Sequence, residues 1–422
     1  MSRIVRVCLL ILVLALCLAL PALLLHQTKD FSSVSPASSP VLSPSPSITS
    51  LPNEAGSALP YRAVWISYLE WQHTDFSSAD AFTSQISEMF DRCVDLGLNV
   101  AIVQVRPFGD ALYPSEIFPF SHLCTGTQGL DPGFDPLSIL VEQAHNRNLE
   151  IEAWINPYRI QSAGVPAVLA DTGLAAQHSE WVKNVANGLW LAPANEEVQT
   201  CIIAGIRELC ENYDIDGIHF DDYFYPTTAT DFDAAEYAVY QADGGTMCQD
   251  DWRRQNVSDL VADCYSTAHS YGVRFGIAPQ GNLQNNLAVQ YSDVERWLRE
   301  PGFVDYLMPQ LYWGLSYQND GSSLPALGNC LAQWQSLPRT DDVSLYIGLG
   351  AYRIGDGDGS DASLKEWNSG HALADQVNFL LQNGIEGIAF YRFDSLFENP
   401  AWDKLAGQEA DALQKILLPF AA

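Results

Sequence analysis

Basic residues are what this chain has least of. In 422 residues, 21 Lys and Arg face 51 Asp and Glu, a formal charge of −30. Little is available to neutralise phosphates, so nucleic acid is excluded as a partner. The same deficit speaks mildly against strongly anionic polymers such as teichoic acids. Histidine is sparse too: the 8 residues form no His-x-x-His or comparable cluster, and no metal or other cofactor is expected. Closely spaced cysteines are missing. Leaving aside Cys8 and Cys17, which sit in an N-terminal apolar run, seven of the nine remain, an odd number. Cys201 and Cys210 fall on one expected helix about 13 Å apart by helical rise, too far to bridge. Buried free thiols are therefore expected rather than a disulfide framework.

One long apolar run without charges occurs at residues 7–25, behind Arg3 and Arg6. Cations on its N-terminal side favour a cytoplasmic start with the remainder outside. The run is just long enough to span a bilayer and lacks a small-x-small cleavage site before Gln27, which favours a signal anchor over a cleaved signal peptide. Ser, Pro and Ala then dominate a stretch that cannot bury a core and reads as a semi-extended tether. The expected organisation is an anchor or signal peptide in residues 1–30, a linker in 31–59 and one globular domain in 60–422, extracytoplasmic and either anchored in the membrane or secreted.

Beyond the tether, eight apolar runs alternate with helix-period segments. The runs cover residues 61–67, 99–105, 149–155, 216–222, 273–279, 304–312, 344–351 and 387–393, and the clearest helices 79–96, 136–146, 197–213, 251–271, 291–299 and 372–383. Several helices end in Gly or Asn just before the next run, as at Gly97, Gly272 and Asn383. Unbroken strand-helix alternation over more than ~250 residues is the pattern of a (β/α)8 TIM barrel. Long connections follow the strands and short ones precede them, so residues 106–135, 156–196 and 223–250 pile irregular chain onto the C-terminal face, where chemistry sits in such barrels.

Alternation then selects the side chains that face the barrel axis. The fourth run, Asp216-Gly217-Ile218-His219-Phe220-Asp221-Asp222-Tyr223, turns His219, Asp221 and Tyr223 inward and leaves Asp222 on the turn. The second supplies Gln104 and Arg106; the third, Glu152, Trp154 and Asn156. Trp65 and Ser67, Gln310 and Tyr312, and Tyr391 come from the first, sixth and eighth. Carboxylate, amide, guanidinium and aromatic rings on one rim suit a sugar, whose hydroxyls want polar partners and whose C–H faces stack on rings. Asp222 also reads as a plain turn former, Glu152 and Arg106 as an interior ion pair, and His219 as an orienting hydrogen-bond partner.

Four phrases carry a family resemblance: Arg62-Ala63-Val64-Trp65-Ile66-Ser67; Gln104-Val105-Arg106-Pro107-Phe108-Gly109-Asp110-Ala111-Leu112-Tyr113-Pro114-Ser115; Glu152-Ala153-Trp154-Ile155-Asn156-Pro157-Tyr158-Arg159; and the Asp216 to Tyr223 segment. Together, and in this order, they resemble the glycosyl-hydrolase-like family 10 of bacterial envelope proteins. That resemblance implies a (β/α)8 glycosidase acting on cell-wall glycan, particularly strands stripped of their stem peptides. The fourth run is also distantly similar to chitinase-type family 18 barrels. Their acidic Glu is replaced here by Tyr223, so that mechanism does not carry over.

Glycoside hydrolysis ordinarily needs two carboxyls across the scissile bond. Asp221 is the first, and its neighbour Asp222, whose charge can raise its pKa, is a further catalytic candidate. Adjacent strand residues point apart, so the second is expected from another loop, with Asp110 foremost and Glu70 and Asp394 behind it; Asp110 alternatively reads as a turn residue after Gly109. Arg106, Asn156, Arg159 and Gln310 would hold sugar hydroxyls or N-acetyl groups, and Trp154, Tyr158, Tyr225, Tyr312 and Trp313 would stack. The expected activity is a membrane-tethered glycosidase on N-acetylated cell-wall glycan; a non-catalytic glycan-binding barrel and a lytic transglycosylase remain open.

Overall fold

The computed structural model describes residues 59–421 apart from 186–187 and 320; the expected anchor and linker lie outside them. Its strands form a parallel ring. In chain order they are β1 (Tyr61–Ile66), β2 (Val100–Arg106), β3 (Glu150–Ile155), β4 (Gly217–Phe220), β5 (Arg274–Ile277), β6 (Tyr306–Leu307), β7 (Ser344–Leu345), β8 (Ile347–Gly350) and β9 (Gly387–Tyr391). Each pairs with the next, except that β7 and β8 are two halves of one stave broken at Tyr346. β9 returns to β1, with Tyr61 opposite Gly387. The eight runs thus become the eight staves of a (β/α)8 barrel.

Two packing layers follow from strand alternation. Val64, Ile66, Ala101, Val103, Ile151 and Ala153 face outward into the main core under the helices. Tyr61, Ala63, Trp65, Val100, Ile102, Trp154, Tyr306 and Met308 fill the barrel interior. Two glycines make room there. A Cβ on Gly276 would lie 2.0 Å from the Tyr306 ring, and one on Gly217 would lie 2.8 Å from Cγ of Glu152. The helix Ala79–Leu96 shows how the outer layer forms. Ser78 caps its first turn, Phe82, Ile86, Met89, Phe90 and Cys93 share its buried face, and Gly97 ends it at φ 91°. Each large apolar side chain so buried contributes about 1.5–3 kcal/mol.

The connections after β3 and β4 hold more structure than expected. Arg159–Ser162, Val182–Val185 and Gly188–Leu191 make a small antiparallel sheet, and Ala234–Ala242 is a helix with no buried residue. Both are too short to stand out in a hydropathy pattern. Lys183 of the sheet pairs with Glu236 of the helix at 2.5 Å, so the two excursions meet. The seven cysteines of the described residues are all free, Cys93, Cys124, Cys264 and Cys330 being buried.

Candidate active site

The barrel axis carries polar groups in layers. In the lower layer Glu152, wholly buried, accepts from Arg274 Nε at 2.8 Å, and a second Arg274 nitrogen reaches Glu150 at 2.6 Å. The other Glu152 oxygen accepts from the Tyr306 hydroxyl. Tyr306 meets His219 Nδ1 at 2.8 Å, and Trp65 Nε1 donates to His219 Nε2 at 3.2 Å. An indole N–H only donates, so Nε2 is the acceptor and the proton sits on Nδ1. Burial lowers the His219 pKa to about 3, leaving the ring neutral. It is an orienting group, with Trp65 above and Tyr306 below.

One layer higher the chain leaves β4 and presents Asp221 and Asp222. Asp221 is 5% exposed and receives three donors: Asn156 Nδ2 at 2.6 Å and Trp154 Nε1 at 3.2 Å on Oδ2, and the Tyr223 amide at 3.1 Å on Oδ1. The Asn156 amide cannot be turned around, because its oxygen already accepts from Gln104 Nε2 at 2.5 Å and Arg159 Nη2 at 2.9 Å. Gln104 is fixed in turn by the Tyr68 N–H on its Oε1 at 2.8 Å. Asp222 is half-buried, accepts from Gln310 Nε2 at 3.2 Å and has Gln280 as a second amide neighbour. Burial raises the pKa of both carboxyls; the Asp222 charge raises Asp221 further, and Arg159 works in the opposite direction on both. Two carboxyls that close in a low-dielectric site do not both ionise freely. Alternation fails here because regular pairing stops at Phe220 and the chain bends, which brings Asp222 to the same mouth as Asp221.

Rings flank this pair in two groups. Tyr312 and Tyr391 stack at 5.8 Å, with Tyr352 edge-on to both at 5.6 and 6.0 Å. A second group of rings surrounds the Arg159 guanidinium, which lies near those of Tyr68, Phe108 and Tyr223, at 5.7, 5.0 and 5.2 Å. Tyr223 is 44% exposed. Trp313, partly buried, packs by Gly281 near Gln310. Glu70 and Asp394 share Arg392, at 2.5 and 2.9 Å, and Glu70 also caps the short helix after β1 through Ser67. Both are thus engaged by a cation, unlike Asp221 and Asp222.

Four expected site residues lie elsewhere. Arg106 points outward, because β2 bulges: Gln104 pairs with Trp154, but it is Arg106, not Val105, that pairs with Ile155. One extra residue reverses the facing of everything after it. The Arg106 guanidinium stacks 3.7 Å over Phe118 beneath Gly205, so the expected Glu152 ion pair is made with Arg274 instead. Tyr158 is wholly buried in the outer core, and Tyr225 packs against Tyr291 and Phe232 away from the axis. Asp110 is sealed inside its loop, 0% exposed, accepting from Gln128 at 3.0 Å and facing His122 at 3.2 Å. Among the described residues it makes no bond to Asp221. Conversely, Gln280, Tyr68, Phe108 and Tyr352 lie around the carboxyl pair although none falls within the expected runs. Gln280 continues the inward set Gly276, Ala278 by one more step, so extending β5 by a residue would have found it. Among the described residues no three His, Cys, Asp or Glu side chains gather as a metal site.

Known proteins resemble this chain in sequence and fold. The model of the family described as Glycosyl hydrolase-like 10 matches residues 60–367. Glycosyl hydrolase YngK of Bacillus subtilis (strain 168) is 37% identical over 69% of this chain and 61% of its own length. Glycosyl hydrolase DigH of Escherichia coli (strain K12) is 31% identical over 71% of this chain and 75% of its own. The chain thus spans less than two thirds of the Bacillus relative. Among solved structures, the glycoside hydrolase domain of PgaB (BpsB) from Bordetella bronchiseptica superposes with a TM-score of 0.56 at 15% identity, covering 85% of this chain and 98% of that one. The catalytic domain of a Paenibacillus polymyxa β-amylase gives 0.53 at 12% identity, covering 87% and 100%. At such identities the structures speak for the barrel fold alone.

Proposed function

Because this chain belongs to the glycosyl hydrolase-like 10 family, we propose that it is an extracytoplasmic glycosidase, held at the membrane by residues 7–25, that hydrolyses N-acetylated cell-wall glycan. Peptide-stripped strands are the preferred form. The observation that carries this reading is the Asp221–Asp222 pair at the barrel mouth, buried enough to raise both pKa values and without a salt bridge to either among the described residues.

The pair holds a single proton over a range above the ordinary carboxylate pKa, as coupled acids do. Burial and the neighbouring Asp222 charge push the Asp221 pKa up to about 7, while the Gln280 and Gln310 amides favour the charged form of the more exposed Asp222. The shared proton therefore rests on Asp221. Asp221 then protonates the departing glycosidic oxygen, and the Asp222 carboxylate faces the positive charge that develops at the anomeric carbon of the sugar ring. A water molecule adds to that carbon while returning a proton to Asp221. Tyr312 and Tyr391 in one group and Tyr223 in the other supply stacking surfaces. Asp222 therefore takes the part that Asp110 was expected to play.

The test is turnover of peptide-stripped glycan by wild-type, Asp221→Asn and Asp222→Asn proteins. New reducing ends with wild type and at least ~100-fold fewer with either variant support the assignment. Saturable binding with no new ends from wild type would instead make the barrel a glycan-binding scaffold.

A further inference from the structure

Three buried arginines, Arg62, Arg106 and Arg159, have no carboxylate within ion-pair distance among the described residues. Arg62 donates to the Gly97 and Leu59 carbonyls and Arg106 stacks on Phe118 in the outer core, and only Arg159 stands at the barrel mouth. Arg253, Arg274 and Arg392 each hold a carboxylate, at 2.5, 2.8 and 2.5 Å. Arg159 is 7% exposed, yet among the described residues no Asp or Glu lies within ion-pair distance of it. Its Nε donates to Pro107 O at 2.8 Å and its Nη2 to Asn156 Oδ1 at 2.9 Å; Nη1 has no partner among the described residues. The guanidinium is therefore held in place with donor capacity to spare, beside the exposed Tyr223 ring and close enough to Asp221 and Asp222 to oppose the rise in their pKa. The other flank differs: there Arg392 is already consumed by Glu70 and Asp394.

Building on the glycosidase reading above, we propose that Arg159 and Tyr223 form a subsite for a sugar bearing a free carboxylate, next to the scissile bond, while the Tyr312–Tyr391 side takes a neutral sugar. A carboxylate meets a guanidinium in a charge-assisted and often bidentate contact, and the pre-positioned fork loses little freedom on binding. The sugar's C–H face lies on Tyr223. Removing a stem peptide from a glycan exposes a carboxylate where an amide stood, and that is the difference Arg159 reads. The substrate class is thus an alternating glycan with a carboxylate on one of its two sugars.

Two oligomers test this: a peptide-free glycan with free carboxylates and the same oligomer with those groups converted to methylamides. Both cleavage and equilibrium binding are measured for wild-type, Arg159→Gln and Arg159→Lys proteins, with circular dichroism confirming the folds. Wild type should prefer the free carboxylate by about 10- to 100-fold in kcat/KM and in affinity, the range of a charged hydrogen bond. Arg159→Gln should erase that preference, mainly through KM, and Arg159→Lys should keep part of it. Equal losses on both oligomers in Arg159→Gln, with a displaced pH profile, would mean that Arg159 acts only on the carboxyl pair and would overturn the subsite. So would a wild type indifferent to amidation. A retained binding preference without any cleavage would contradict the glycosidase reading and leave the subsite standing.

Discussion

The two ends of the barrel interior bury acids in opposite ways. Below, Glu152 is matched by Arg274 and Tyr306, so its charge has a permanent partner. Above, Asp221 and Asp222 sit within one bend of the chain, surrounded by amides, an indole and tyrosines, with no cation in ion-pair contact among the described residues. Alternation aims Glu152 and Asp221 at the axis, and the bend after Phe220 adds Asp222. What separates them is compensation: the lower layer is built for stability, and the upper layer keeps electrostatic strain available for chemistry.

Breaking the lower layer should have the largest effect. Arg274→Met leaves Glu152 buried without its cation, and denaturant unfolding should register a loss of about 3–5 kcal/mol. In the upper layer, Asp221→Asn should reduce kcat by at least ~100-fold while circular dichroism shows the fold retained. Asp222→Asn sharpens the contrast through its pH dependence. A carboxyl whose folded pKa is raised makes the folded state bind the extra proton, so stability falls as pH climbs from its unfolded value of about 4 through the raised folded value. The Asn variant escapes that loss. Denaturant unfolding should therefore find it more stable than wild type at pH 8, with the difference fading toward pH 4. The smallest effect belongs to Asp110→Asn. The Asn oxygen can still accept from Gln128, and steady-state assays should find a loss well short of the ~100-fold of an acid-base group.

The barrel was legible because eight apolar runs, each ended by a loop and followed by an amphipathic helix, leave few other architectures. Inward facing was legible for Trp65, Gln104, Glu152, Trp154, Asn156, His219 and Asp221, all within regular strand or one step beyond. It failed for Arg106, because the bulge at Val105 leaves no mark on a hydropathy pattern. The partner of Glu152 was hidden as well: Arg274 lies 122 residues away and becomes its neighbour only through the register of β3, β4 and β5. The placement of Asp222 at the mouth and of Asp110 inside its loop was hidden for a related reason. Both stand where strand geometry ends, and there the turn after Phe220 and the fold of the loop around His122 and Gln128 decide what each carboxyl faces.

Mass spectrometry of the products that the full chain releases from peptide-stripped glycan tests the central claim most directly, with Asp221→Asn and Asp222→Asn alongside. Hydrolysed oligomers with ordinary reducing ends from wild type, and from neither variant, are the predicted result. Anhydro-sugar ends, or undiminished hydrolysis by either variant, would contradict the assignment of the uncompensated pair as the hydrolytic centre.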